Sequence, residues 1–360
     1  EKIYNENDKT IKNIKDKWNS TKKIFRYIKR FEFTHPDYPF LIHCSIVKTS
    51  RTNGGRLIPQ FNIKDSDVFN STEQYEIEIE LHNPRVGIDT EFSTGLNIYN
   101  KLRQIIKYVL IGIQQTNYPV SLVEQNQIII YYLKITKNKD YDSTKKPHGS
   151  DFIGPSSGTL QMINLINESD INASNKSIPN IRKNYTVTDK ADGLRKLLFI
   201  NENGKIYLIN TLMNVEFTGA LTEEDDVFNT IIDGEHITHD KNGDYINLFA
   251  AFDIYYINNK NITGLPFVNL EIVKSEDDDE EKEEQQKTKS KKDSSRLVIL
   301  KTVIKKLNPL SIVSKSKSPI NIVTKKFYAN NIFGGSATIL NNVKEGLFEY
   351  NTDGLIFTPS

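Results

Sequence analysis

Tyr185-Thr186-Val187-Thr188-Asp189-Lys190-Ala191-Asp192-Gly193-Leu194-Arg195 is the densest chemical stretch of the chain. A β-branched run leads into a tight turn, and Gly193 permits close backbone approach before a second apolar run, Leu194–Ile200, begins. A lysine at the lip of a β-rich pocket becomes a covalent nucleophile once its amine is unprotonated, a state that burial and a neighbouring cation favour. Taken alone, Lys-x-Asp-Gly is also what a solvated β-turn shows. The acids downstream separate the two readings. Ile231-Ile232-Asp233-Gly234-Glu235 is a strand ending in a turn that presents a carboxylate. Leu248-Phe249-Ala250-Ala251-Phe252-Asp253-Ile254 embeds an acid in an apolar strand, and Thr352-Asp353-Gly354-Leu355-Ile356-Phe357 repeats the Asp-Gly turn before a last apolar run. An acid inside an apolar strand costs free energy unless it is paired or binds a metal, so three in order after one lysine point to a site.

Outward from this centre, the pattern predicts strands at Tyr185–Thr188, Leu194–Ile200, Ile206–Asn210, Val227–Ile237 and Tyr245–Tyr256. Toward the C-terminus it predicts a helix over 296–307, a strand over Ile320–Tyr328, a short helix over Ser336–Val343 and a final strand, Gly354–Phe357. Charge blocks from Glu276 to Lys292 cannot bury apolar surface, so 275–295 reads as a disordered loop. In the N-terminal part, Phe40–Val47 reads as a buried strand containing Cys44, and Arg51–Arg56 carries turn signals. Tyr75–Leu81 alternates strictly. Residues 96–114 switch to helical period, and Ser121 and Glu124 are spaced like a capping box at the head of another helix. Domains are expected at 1–136 and 159–360, joined by a linker and entry segment at 137–158.

Composition narrows the class. Hydrophobic residues make up 37% of the 360, enough for packed cores, and 47 Lys+Arg nearly balance 46 Asp+Glu. A net charge of +1 excludes a basic coat for nonspecific nucleic-acid binding, so a polyanion must be met by a local site. One cysteine excludes a disulfide scaffold and fits a reducing compartment. No apolar run reaches the roughly 18 residues of a membrane span. The absent initiator Met and the stop at Ser360 suggest a piece of a longer polypeptide. His236 and His239, at i and i+3 of a strand, are expected on opposite sides and without a metal role.

The ordered elements over Phe152–Pro359 resemble the covalent nucleotidyltransferase superfamily of mRNA capping enzymes and ATP-dependent polynucleotide ligases. The resemblance implies that Lys190 attacks the α-phosphate of a nucleotide. Asp192 and Gly193 belong to the same element, and Arg195 and Glu235 would hold the ribose. Phe252 would stack on the purine, with Ile356 on its other face. Asp353 would bind Mg²⁺ or Mn²⁺, supported by Asp253. The family's Lys-x-Lys strand and OB domain would follow Ser360.

Tyr75-Glu76-Ile77-Glu78-Ile79-Glu80-Leu81 puts three carboxylates on one strand face. Turned outward, the row is an edge strand; turned inward, it is a hard-oxygen metal site. It resembles the Glu-x-Glu-x-Glu strand of triphosphate tunnel metalloenzymes, which would make Glu76, Glu78 and Glu80 metal ligands. Lys48 and Arg51 would be phosphate-facing cations, although alternation allows only one of them on a given face. The expected fold class is thus α+β: the C-terminal part of a β-tunnel RNA triphosphatase domain, then an antiparallel-sheet nucleotidyltransferase domain. The resemblance implies a viral mRNA capping enzyme of the large nucleocytoplasmic DNA virus type. Its substrates would be GTP and 5′-triphosphate or 5′-diphosphate RNA, with a cap methyltransferase domain or subunit as partner and no membrane. Its location would be a cytoplasmic viral factory or the virion. A ligase using ATP through the same lysine is the alternative, and a degenerate domain that only docks RNA or protein is a third reading.

Overall fold

A computed structural model describes residues 5, 7–137, 146–171, 177–269 and 294–360. Of the loop expected over 275–295, residues 275–293 lie outside them, and Ser295 is buried as the N-cap of the helix that follows. The chain forms two compact units, Glu1–Val109 and Leu110–Ser360. This division falls before the boundary expected after residue 136. The helix at 122–137 buries Ile128, Ile129, Tyr132 and Leu133 against the second unit's strands, so it belongs to that unit.

The first unit opens with α1 (Lys9–Asp16), whose N-cap Asp8 accepts from the Thr10 backbone N–H. Strands β1 (Arg26–His35) and β2 (Tyr38–Thr49) follow, then a two-residue hairpin of β3 (Thr52–Asn53) and β4 (Arg56–Leu57). After α2 (Ile63–Ser66), β5 (Gln74–Leu81) completes an antiparallel sheet of order β1-β2-β5. This sheet has three strands and does not close into a tunnel among the described residues. Helix α3 (Gly95–Gln114) follows the predicted period but buries only Ile105, leaving Leu96, Tyr99 and Ile106 exposed. Cys44, expected in a core, is half-buried, because the buried positions of β2 alternate through His43, Ser45 and Val47.

The second unit is built on an eight-stranded sheet. Helix α4 (Leu122–Lys137) precedes β6 (Tyr185–Ala191), β7 (Leu194–Ile200), β8 (Lys205–Asn210), β9 (Val215–Leu221), β10 (Thr230–His239), β11 (Tyr245–Ile257) and β12 (Lys260–Asn261). Helix α5 (Arg296–Leu307), β13 (Leu310–Ser311), β14 (Asn321–Thr324), α6 (Ile332–Lys344) and β15 (Thr352–Pro359) complete it. The sheet order is β12-β11-β10-β7-β8-β9-β13, with β14 joining β11 in parallel; all its other pairings are antiparallel. Period-two alternation gives each face its own core. Leu198, Ile200, Leu208 and Ile232 pack with Leu300 and Val303 of α5, whereas Leu197, Phe199, Tyr207 and Ile231 pack with Tyr132 and Leu133 of α4. Strands β6 and β15 form a separate antiparallel pair. The capping box foreseen at the head of α4 is half formed. Ser121 Oγ accepts from the Glu124 backbone N–H, but the Glu124 carboxylate accepts from Lys205 and Tyr207 instead.

Candidate active site

Lys190 lies one residue before the end of β6, on strand rather than in a turn. Alternation buries Asp189 and leaves Lys190 half exposed, so neighbouring residues of one strand supply a buried brace and a solvent-facing amine. Opposite them, the pairing of β15 slips between Thr352 and Leu355. That irregularity sets Asp353 beside Lys190, and the ammonium donates to the Asp353 carboxylate in an ion pair. Asp353 is the largest cause of the raised Lys190 amine, so in this form the amine stays protonated.

The brace behind the nucleophile was not foreseen. Lys325 is 2% exposed at its side chain and pairs with the Asp189 carboxylate at 3.0 Å, while also donating to the Asp189 carbonyl. Tyr350 donates to the same carboxylate at 3.1 Å. Burial pulls the Lys325 amine below its usual range, and the Asp189 carboxylate opposes that pull. The sequence signal was available: Lys325 directly follows the apolar β14, where an uncompensated lysine would be costly.

On the large sheet, Arg195 and Glu235 are register partners across β7 and β10. Arg195 Nε and Nη2 donate to the two oxygens of Asp233 at 3.1 and 2.6 Å, and Nη1 donates to the Pro155 carbonyl at 2.7 Å. Asp233 is fully buried and also accepts from Tyr255 Oη at 2.6 Å. Arg195 also lies within cation–π reach of Phe152 and Phe252, at 5.4 and 5.8 Å. Gly193 has a steric task here: a Cβ would meet the Glu235 Cγ at 2.8 Å and the His236 carbonyl at 2.9 Å. Gly154, at φ +119°, sits over the same cluster, where a Cβ would fall 2.5 Å from Arg195.

Glu235 carries no partner as strong as Arg195. Burial pushes its carboxyl up to about 7, with Lys325 opposing and Asp233 reinforcing. Its folded pKa therefore lies above the unfolded value, and stability falls as pH rises from about 4.5 to about 7. Glu235→Gln removes this penalty. Because the group is partly solvated, the expected gain at pH 8 is about 1 kcal/mol, or roughly 2–4 °C in Tm, vanishing near pH 4.5. Melts at the two pH values check this; no gain at pH 8 would mean the carboxyl ionises at no cost.

The other expected residues divide. Phe252 is half-buried on the Arg195 side, Asp192 is exposed next to Lys190, and Ile356 pairs with Thr188 on the strand that carries the nucleophile. Asp253 departs from expectation. Its carboxylate accepts from Arg296 Nε and Nη2 at 2.8 and 3.0 Å, at the start of α5, so it is committed to Arg296 and not to Asp353.

In the first unit, the register sets Glu76 against Ser45, Glu78 against His43 and Glu80 against Leu41. The carboxylates meet basic side chains. Glu76 pairs with Arg26, Glu78 with Arg30 at 2.7 Å, and Glu80 with His43 at 3.6 Å. His43, Glu78 and Glu80 offer ligand atoms within 4.8 Å of one another. Lys48 and Arg51 do not join this row. Lys48 points to the other face of β2, donating to the Phe69 carbonyl and pairing with Glu73 at 3.4 Å. Arg51 follows the end of β2 and pairs with Asp67 at 3.6 Å. Arg26 and Arg30 of β1 occupy the place expected for them, because the β1 register sets Arg30 beside Ser45, the same β2 residue that faces Glu76 from β5.

Residues 174–317 match the family model described as mRNA capping enzyme, catalytic domain. Over 247 residues, 66% of this chain, the sequence is 28% identical to a probable mRNA-capping enzyme of Acanthamoeba polyphaga mimivirus, of which it spans 16%. A solved structure titled Pmar-Lig_Pre. is 15% identical with a TM-score of 0.24, covering 49% of this chain and 38% of that one, a likeness too slight to bear on the fold. The family model takes in Lys190, Arg195, Glu235 and Phe252, while Lys325 and Asp353 lie beyond it. No helix among the described residues is long and apolar enough to cross a membrane.

Proposed function

We propose that the second unit is an mRNA guanylyltransferase that passes GMP from GTP to the 5′-diphosphate end of RNA through a lysyl intermediate. The observation that carries this reading is the Lys190–Asp353 pair, which β6 and β15 assemble from distant parts of the chain. It stands within the charged surroundings of Glu235 and Asp192. In the reaction, Lys190 Nζ passes its ammonium proton to solvent, forms a bond to the α-phosphorus and sheds a second proton as the phosphoramidate forms. The bond from that phosphorus to the bridging oxygen breaks, and pyrophosphate leaves with the electron pair. Lys325 and Tyr350 hold Asp189, which fixes the strand and hence the amine. Arg195, oriented by Asp233, retains N–H groups for the nucleotide, and Glu235, pushed up to about 7 by burial, is suited to exchange hydrogen bonds with sugar hydroxyls. Phe252 offers a ring face to the base. Asp353, a half-exposed hard-oxygen donor, fits Mg²⁺ or Mn²⁺, which when bound would neutralise phosphate charge.

The test is incubation of the full-length protein with α-labelled GTP or ATP and a divalent metal. Labelling by GTP in preference to ATP is expected; labelling by ATP alone would replace this reading with the ligase. The mimivirus relative extends the proposal to a viral source, and with it a cytoplasmic factory or virion location.

For the first unit, we propose RNA 5′-triphosphatase activity that removes the γ-phosphate. It rests on the convergence of His43, Glu78 and Glu80 on the face that also carries Arg26 and Arg30. Glu78→Ala should abolish γ-phosphate release from triphosphate RNA in the full-length protein, and unchanged release would return β5 to an ordinary exposed strand.

A further inference from the structure

Between α4 and β6, the backbone of Asp151–Pro155 crosses the Arg195–Asp233 pair as a strap, and side chains pin it at both ends. Tyr132 of α4 is fully buried. Its hydroxyl donates to the Asp151 carbonyl at 2.9 Å and accepts from the Ile153 backbone N–H at 3.0 Å. The Asp151 carboxylate, itself buried, accepts from Lys137 and from the His148 backbone N–H, the latter at 2.8 Å. At the far end, Pro155 gives its carbonyl to Arg195 Nη1. Gly154, between them, permits the crossing. At φ +119° its backbone takes a conformation that L side chains rarely adopt, and a Cβ would also fall 2.9 Å from both Asp233 Oδ2 and Tyr255 Oη.

Phe152 acts from the same strap. Half-buried, it packs against the core cluster that holds Tyr132 and Phe199, and the Arg195 guanidinium carbon lies 5.4 Å from its ring centroid. Of the five guanidinium N–H bonds, two go to Asp233 and one to Pro155, which leaves one on each terminal nitrogen for a ligand. The Arg195 side chain keeps 27% of its surface exposed, so a ligand can reach it. Arginine is long and rich in rotamers. One that must be ordered as its ligand arrives binds more weakly than one already in place.

On the guanylyltransferase reading of this unit, we propose that the strap is a positioning device for the nucleotide: Phe152, Gly154 and Pro155 fix the Arg195 guanidinium in its binding orientation before GTP arrives. They act through Arg195 and take no part in phosphoryl transfer. Tyr132 ties the strap to α4. On this assignment the nucleotide site begins upstream of residues 174–317, the stretch that the capping-enzyme model matches.

Two measurements on the full-length protein test this. In the first, the initial rate of covalent labelling is followed against the concentration of α-labelled GTP with a divalent metal. It yields a half-saturating concentration and a maximal rate. Arg195 is assigned to the ribose, away from the bond that forms at the α-phosphorus, so loosening it removes binding shared by the ground and transition states. Phe152→Leu should raise the half-saturating concentration roughly fivefold and leave the maximal rate within about twofold. Phe152→Tyr keeps the ring and should stay within about twofold of the native protein in both. Gly154→Ala should raise the half-saturating concentration at least roughly tenfold. The second measurement needs no nucleotide: phenylglyoxal modification of Arg195, mapped by mass spectrometry, should run at least roughly threefold faster in Phe152→Leu and Gly154→Ala as the guanidinium is released. Equal modification rates would overturn the strap whatever the nucleotide result. Faster modification with an unchanged half-saturating concentration, or a loss of maximal rate alone, would overturn its role toward the nucleotide. A native protein that does not label with GTP removes the guanylyltransferase reading instead, and the modification rates then decide the strap by themselves.

Discussion

Lys190→Ala is expected to eliminate transfer of label from GTP to the protein while leaving Tm unchanged. The amine is the only proposed acceptor of the phosphoryl group, and no neighbouring side chain can substitute. Lys325, which follows β14, is the other lysine close to this strand pair, but it is buried and aimed at Asp189. Asp192 and Asp353 are oxygen nucleophiles without a base to activate them. Stability should not move, because the Lys190–Asp353 pair is half exposed on both sides and exposed ion pairs contribute little. Lys190→Arg should be equally inactive although it preserves the ion pair, since a guanidinium does not deprotonate at working pH. The two variants together separate a role in chemistry from a role in holding Asp353. Labelling on denaturing gels with mapping of the acid-labile adduct reads the result. Residual label at another residue in Lys190→Ala would remove the nucleophile assignment, and with it the lysyl mechanism.

What could be read from the sequence follows from how local each signal is. Strands with buried alternation were legible, since β7, β8 and the bulk of β10 and β11 are long apolar runs bounded by turn residues. The order of Lys190, Glu235, Phe252 and Asp353 was legible because each stands in or beside an apolar run, although Asp353 itself is half exposed. Partners were not. Asp253 and Asp233 look alike in sequence, yet one is tied to Arg296 at the head of α5 and the other to Arg195 and Tyr255. Lys48 and Arg51 looked like tunnel cations because their sign was right, but strand phase sent Lys48 to the wrong face. Strand β9 escaped because Thr218-Gly219-Ala220 interrupts its apolar character.

Asp233→Ala should be the most destabilising single change at the site. The carboxylate is fully buried and accepts three hydrogen bonds, two from Arg195 and one from Tyr255. Burial raises this carboxyl, but the facing guanidinium, which does not give up its charge, opposes that shift. Removing it leaves a partly buried guanidinium and a buried phenol without their acceptor. Breaking such a pair from one side costs roughly 3–5 kcal/mol, or about 10 °C in Tm for a unit of this size. Replacing both partners, as Arg195→Met with Asp233→Leu, removes the uncompensated charge and should recover much of that loss, because a buried pair and a well-packed apolar pair are often close in stability. Activity should not recover with it, since Arg195 is also the proposed nucleotide contact. Thermal melts and GTP labelling on the two variants therefore move apart: Asp233→Ala loses stability and labelling together, and the double variant regains only stability. A melt of Asp233→Ala within about 1 kcal/mol of the native protein would show that solvent reaches Arg195 and Tyr255 in place of the carboxylate, and that the cluster orders the nucleotide site without holding the sheet together.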